Sequence, residues 1–179
     1  MIKITTALEA EISREQFDRL YEITVTAYRE TEKEMWGENY VRISGNEYRE
    51  LFDQNRILIA LIGDEVVGGV FHKMIAANTY SFGLLAADFS RSGQGIGRAL
   101  VERVEEEALR NGCEQIRIEI LRPKGMDVPS KTIIAEWYER MGYKYTHSED
   151  FAVVQPEKGK RLLVPSDFDY YVKEVESRG

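Results

Sequence analysis

The period of the apolar positions changes several times along the chain. Ile2 to Thr5 is a short extended run. From Ser13 the spacing turns helical, with Phe17, Leu20, Tyr21, Val25 and Tyr28 on one stripe. Ser13 followed three residues later by Gln16 is the pairing of a capping box, so the helix is expected to begin there. Met35, Trp36 and Gly37 close it. Asn46 to Gln54 predicts a second, shorter helix. Arg56 to Ile62 and Glu65 to Ile75 read as a hairpin turning at Gly63-Asp64. Within it, Gly68-Gly69 marks a bulge or a close backbone approach. Thr79 to Ala87 is a further strand. A helix over Gly95 to Arg110 directs Ile96, Leu100, Val104 and Ala108 or Leu109 inward, and Gly112 suits its C′ position. Gln115 to Leu121 alternates, with Ile116, Ile118 and Ile120 on one face and Arg117 and Glu119 on the other. Arg122 to Ser130 is expected to be a loop, and Lys131 to Met141 a helix stopped by Gly142. Tyr143 to Val154 and Asp169 to Val175 read as the last two strands, joined by a polar loop. Hairpin strands followed by a strand–loop–helix–strand unit predict an α/β (α+β) chain, a mixed sheet flanked by helices. No repeat or linker divides it, so residues 1–179 are expected to form a single domain.

The densest chemistry lies in Ser92-Gly93-Gln94-Gly95-Ile96-Gly97-Arg98-Ala99-Leu100, between a strand and a helix. Alternate glycines let a ligand approach the backbone closely. The first turn of the helix leaves N–H groups unpaired at its partly positive end, which suits phosphate or pyrophosphate. The dinucleotide fingerprint does not fit. Its sixth position falls on Arg98 when counted from Gly93 and on Leu100 when counted from Gly95. No Gly-Lys-Ser/Thr follows, which excludes a Walker loop. A tight turn without a ligand would not require three alternating glycines, each costing conformational entropy.

Leu85 to Leu100 resembles the coenzyme A loop of the GNAT superfamily of acyltransferases. The family's loop reads, loosely, Leu-x-Val-x-Pro-x-Tyr-Arg-Gly-x-Gly-Ile-Gly-x-x-Leu. Gly95 and Gly97 match the glycines of its core signature Gln/Arg-x-x-Gly-x-Gly/Ala, with Ser92 at the Gln/Arg position. Ala135-Glu136-Trp137-Tyr138-Glu139-Arg140-Met141-Gly142-Tyr143 is similar to the family's late helix, which ends Tyr-x-x-x-Gly-Phe/Tyr. Lys131 stands where the family often has Asn. The resemblance covers about residues 56 to 150 well and the flanks in outline. It implies a mostly antiparallel central sheet of six to seven strands, with a splayed parallel strand pair at the cofactor site. Acetyl coenzyme A would be the cosubstrate, with no metal. Leu85 and Ala87 would offer backbone groups to its pantetheine arm. Ser92, Gly93, Gln94, Gly95, Ile96, Gly97, Arg98 and Ala99 would hold its pyrophosphate.

Composition narrows the partners. The net charge of −7 argues against gripping nucleic acid. No apolar run spans a bilayer and no basic start precedes an apolar core, so a cytoplasmic protein with no membrane partner is expected. Cys113, the one cysteine, reads as a packing residue. His72 and His147 have no partner at ligand spacing and read as surface or packing residues.

The chemistry that the resemblance implies is acetyl transfer to a primary amine, on a small molecule or a peptide, by direct attack. Tyr138 matches the tyrosine that often protonates the leaving thiolate in this family; its alternative is a packing aromatic. Glu119, on the polar face of its strand, is the candidate base or else a solvent-facing residue, and Tyr80 and Ser81 are further candidates. Tyr28, Glu32, Trp36 and Tyr40 would form an aromatic and acidic wall for the amine, or simply pack the helices. A GNAT-fold acyl coenzyme A sensor without turnover, and an unrelated nucleotide-binding protein, are the alternatives. The sequence leaves a homodimer open.

Overall fold

The sheet runs through the computed structural model, which describes residues 1–176. Strands β1 (Ile2–Thr6), β2 (Ile57–Ile62), β3 (Glu65–Ala76), β4 (Thr79–Ala87), β5 (Gln115–Pro123), β6 (Lys144–Asp150) and β7 (Ser166–Glu174) pair in the order β1-β2-β3-β4-β5-β7-β6. Every neighbouring pair is antiparallel except β4 and β5. The fold is therefore the mixed, mostly antiparallel sheet with one parallel pair that was expected.

A short helix α1 (Ala7–Ala10) leads to the long α2 (Arg14–Trp36) and then to α3 (Gly45–Asp53). The capping box forms as predicted. The Gln16 amide donates to Ser13 Oγ at 3.1 Å, and the Ser13 amide donates to Gln16 Oε1 at 2.8 Å. Gly37, at φ 95°, ends the helix. Helices α4 (Ile96–Arg110) and α5 (Pro129–Arg140) complete the layers.

Strand β2 is buried on both faces, which explains its unbroken apolar run. Leu58 and Ala60 join Leu100, Val104 and Ile116 in the core beneath α4 and α5. Ile57, Ile59 and Leu61 join Phe17, Leu20 and Tyr48 beneath α2 and α3. Gly68-Gly69 proves to be a close approach. A Cβ at Gly68 would lie 2.7 Å from the Ala86 carbonyl, and one at Gly69 2.7 Å from Leu20 Cδ1. A bulge lies beside it, since the β2–β3 register shifts between Ala60 and Leu61.

The expected strand from Tyr143 to Val154 is corrected. It ends at Asp150, and α6 (Phe151–Val154) and α7 (Pro156–Gly159) follow. Asp150 Oδ1 accepts from the Ala152 amide at 2.8 Å, which caps the turn. Phe151 is driven inward against Trp36 and Phe168, while Val153 stays exposed. An apolar run with β propensity is thus folded by one anchor and one cap. The final strand begins three residues earlier than expected, at Ser166.

Candidate active site

The parallel pair holds for only two registered positions, Thr79↔Gln115 and Tyr80↔Ile116. Beyond them β4 and β5 part. Ser81 Oγ donates to the Arg117 carbonyl at 2.7 Å, a side-chain bridge where the ladder has ended. On its other edge β4 is bulged. Gly69 faces Ala86 and Phe71 faces Gly83, so three steps along β4 match two along β3. Leu84 takes up the extra length at φ 52°, a left-handed conformation that a bulky residue rarely adopts.

The divergence opens a cavity of about 600 Å³. One wall is α2, through Ala27, Tyr28 and Thr31; the other is α5, through Ile134, Trp137 and Tyr138. Leu85, Ala87, Ser92 and Gly97 line it at the end nearer α4.

The glycine loop follows β4 directly. Asp88 braces it, accepting from the Ser90 amide at 3.0 Å and from Arg19 Nη2 at 2.9 Å. Burial would raise the Asp88 pKa, but the bonds from Ser90 and Arg19 outweigh it and hold the carboxyl below its usual range. Gly93 and Gly95 both sit at φ 82°, with open space where a Cβ would stand. Their requirement is conformational rather than steric. Gly97 differs, since a Cβ there would meet the Trp137 ring at 3.4 Å. No side chain caps α4, whose N-cap is Gly95. Among the described residues, the backbone N–H groups of Gly93, Gly95, Ile96, Gly97 and Arg98 donate to no protein acceptor. The next, Ala99 N–H, reaches the Gly95 carbonyl at 3.0 Å. Five free donors at the positive end of a fifteen-residue helix make a site for a polyanion. Ile96 itself is buried in the core, so it offers only its amide. The Arg98 side chain turns to Glu102 at 3.2 Å, and the exposed Gln94 stands beside the donors.

Tyr138, which also lines the cavity, is 7 % exposed and packed between Phe82, Trp137 and Tyr143. Its hydroxyl has no hydrogen-bond partner among the described residues. Burial, and then the neighbouring Tyr28, push its pKa well above the ordinary tyrosine value. Burial likewise raises Tyr28, to about 12, although Arg42 and the Leu84 and Leu85 amides oppose the shift. Glu119 reaches the cavity from β5. Its carboxyl is open to solvent yet ringed by protein, and that desolvation lifts its pKa against the pull of Arg117.

The other sequence candidates are placed differently. Glu32 is 2 % exposed and committed to Lys131, whose Nζ donates to Oε2 at 2.6 Å. Trp36 and Tyr40 stack on each other with ring centres 4.5 Å apart, in the cluster with Met35, Leu121 and Phe151. They form no part of the cavity wall, because Trp36 is turned to bury its ring and give its indole N–H to Glu32. Tyr80 lies in the core, its hydroxyl 2.6 Å from His72 Nδ1. His147 is exposed and stacks on Tyr170, and Cys113 is buried. Among the described residues no group of three His, Cys, Asp or Glu could hold a metal ion. Arg42 was not singled out from the sequence, yet it lines the cavity beside Tyr28. Trp137 packs against the core and also forms cavity wall under Gly97.

The profile of the acetyltransferase (GNAT) domain matches residues 53–145. Solved structures match over nearly the whole chain. Ard1 from Thermoplasma volcanium is 13 % identical with a TM-score of 0.68, covering 98 % of this chain and 99 % of that one. A GNAT family acetyltransferase from Elizabethkingia anophelis with acetyl-CoA bound is 14 % identical with a TM-score of 0.64, covering 97 % of each chain. An aminoglycoside 6'-N-acetyltransferase complexed with coenzyme A is 19 % identical with a TM-score of 0.68, covering 99 % of each. At these identities the likeness is one of fold.

Proposed function

Because the chain belongs to the GNAT acetyltransferase family, we propose that it transfers an acetyl group from acetyl coenzyme A to a primary amine by direct attack. One observation supports this most. A single cavity beside the bulged strand β4 is lined both by Gly97, one of the five unpaired amide donors of the glycine loop, and by Tyr138, whose hydroxyl has no partner among the described residues.

Acetyl coenzyme A supplies an activated thioester. The free amides of Gly93, Gly95, Ile96, Gly97 and Arg98 hold its pyrophosphate. Beyond Tyr80 the edge of β4 that faces β5 has no partner strand among the described residues, and backbone groups of Leu85 and Ala87 on that edge pair with the pantetheine amides. Glu119 takes a proton from the incoming ammonium, so that the nitrogen attacks neutral. Its raised pKa suits that exchange, because a carboxylate at the ordinary value is a weaker base. Tyr138 donates its proton to the departing thiolate. The high pKa of Tyr138 keeps that proton in place across the working pH range. The protein acts as a cytoplasmic enzyme whose single domain spans residues 1–179.

Calorimetric titration of acetyl coenzyme A tests the foundation. The wild type is expected to bind saturably. The Gly95→Asp, Gly97→Asp double variant places two carboxylates against the pyrophosphate site and is expected to bind at least about 100-fold more weakly, since like-charge contacts cost several kcal/mol. Circular dichroism establishes that the variant is folded. Absence of binding by the wild type sinks the reading.

A further inference from the structure

The charges of Glu32, Lys131 and Arg42, which all line the cavity, do not cancel. Both oxygens of Glu32 are engaged, Oε2 by Lys131 Nζ at 2.6 Å and Oε1 by Trp36 Nε1 at 3.2 Å. Arg42, on the connection between α2 and α3, lies 3.7 Å from Glu32 Oε1, an ion-pair distance but too long for a hydrogen bond. One buried carboxylate therefore serves two cations. The Arg42 guanidinium is held over the Tyr28 ring, 5.4 Å from its centre, and lines the same cavity as Tyr138. Among the described residues no carboxylate comes within hydrogen-bond distance of it. Its guanidinium shares one hydrogen bond with the Tyr40 hydroxyl, which fixes the fork, and its remaining N–H groups are free of a carboxylate; a planar fork held in this way can receive a carboxylate. Glu119, in the same cavity on β5, is the complementary anion.

We propose that the acceptor is a small amine that also carries a carboxylate, a zwitterion of the amino-acid class. Its carboxylate pairs with Arg42 and its ammonium faces Glu119. The assignment rests on the acyl-transfer reading and narrows it. A monoanion is favoured over a phosphate because the excess at the Glu32–Lys131–Arg42 cluster is a single positive charge. A small acceptor is favoured because the same cavity, about 600 Å³ in all, must also take the cosubstrate's arm.

The test measures thiol release from acetyl coenzyme A by the wild type over a panel of free amino acids, their α-amides and the corresponding decarboxylated amines. Free acids are expected to exceed their amides in kcat/KM by about 10- to 100-fold, the value of a charge-assisted hydrogen bond. Arg42→Ala is expected to raise KM for the acids by a similar factor, about 10- to 100-fold, and to leave KM for the amides unchanged. Arg42→Lys recovers part of the loss. Equal use of acids and amides, turnover confined to amines without a carboxylate, or no turnover of any acid overturns the assignment. An Arg42→Ala effect shared equally by acids and amides also overturns it. The comparison of acids with amides uses only the wild type, so it stands even where a variant fails to fold. Acetyl coenzyme A binding, measured in parallel, separates the two readings, because its failure overturns acyl transfer itself.

Discussion

Glu32→Ala is expected to destabilise the protein by about 3–5 kcal/mol, the cost of leaving a buried charge without its partner. The Lys131 side chain is 8 % exposed, and among the described residues its ammonium makes one ion pair, with Glu32. Removing the carboxylate strands that ammonium and leaves Arg42 beside it as a second unneutralised cation. The Glu32→Met, Lys131→Met double variant removes both charges and keeps the volume. It is expected to cost less than the single change, because no lysine ammonium is stranded and only Arg42 loses its carboxylate. Urea midpoints at constant m-value give the comparison, and the four-protein cycle isolates the coupling. Single and double variants of equal stability would mean that the pair is effectively solvated. The pair also predicts an acid limb. Burial alone would raise the Glu32 pKa, but Lys131 and Arg42 together hold it below the ordinary value. A carboxyl lowered on folding contributes stability that is full above its unfolded pKa, near 4.3. That contribution is lost as the pH falls through the lower, folded value. The double variant should lack this part of the acid sensitivity.

Local signals carried much of this architecture in the sequence, and tertiary ones carried the remainder. The capping box at Ser13-Gln16, the alternation of Ile116, Ile118 and Ile120, and the glycines before α4 are short-range patterns, and each appears where it was expected. The bulge at Leu84 has no such signal. Gly83-Leu84-Leu85 reads as a continuous strand, and only its register against β3 forces the extra residue into a left-handed conformation. Phe151 misled for a similar reason, since its burial against Trp36 is decided by residues 115 positions away. Glu32 was visible as a charged residue on the right helix, but its partner Lys131 lies 99 residues on. The lysine that departs from the family's usual asparagine and the buried glutamate are one feature in space and two unrelated residues in the chain. Arg42 lies on an irregular connection without periodicity, so its place in the cavity follows from the packing of α2 against the sheet rather than from any motif.

Tyr138→Phe is expected to lower kcat by about 100-fold or more, the contribution of a positioned general acid. Affinity for acetyl coenzyme A should stay within a factor of two, because the site's anion donors lie on the glycine loop and not on α5. Stability should not fall, since the hydroxyl donates to nothing among the described residues and its removal leaves no partner there unsatisfied. Tyr143→Phe is the matched control. Its hydroxyl is also without a partner but is buried in the core, so the same deletion should leave kcat unchanged. The pH profile separates acid from base. The rate should rise with pH as Glu119 loses its proton, at a pH above the ordinary glutamate range because burial raises that group. Glu119→Gln should abolish that limb while leaving the cosubstrate affinity intact. Tyr138 must be protonated to act, and its pKa lies well above the usual tyrosine value. The wild type should therefore show no alkaline fall below about pH 10, where a free tyrosine would already be half ionised. A fall near pH 9 that vanishes in Tyr138→Phe would place the tyrosine in a wetter setting than the cavity provides. An unchanged kcat in Tyr138→Phe would remove it from the chemistry and leave the leaving thiolate to be protonated by solvent.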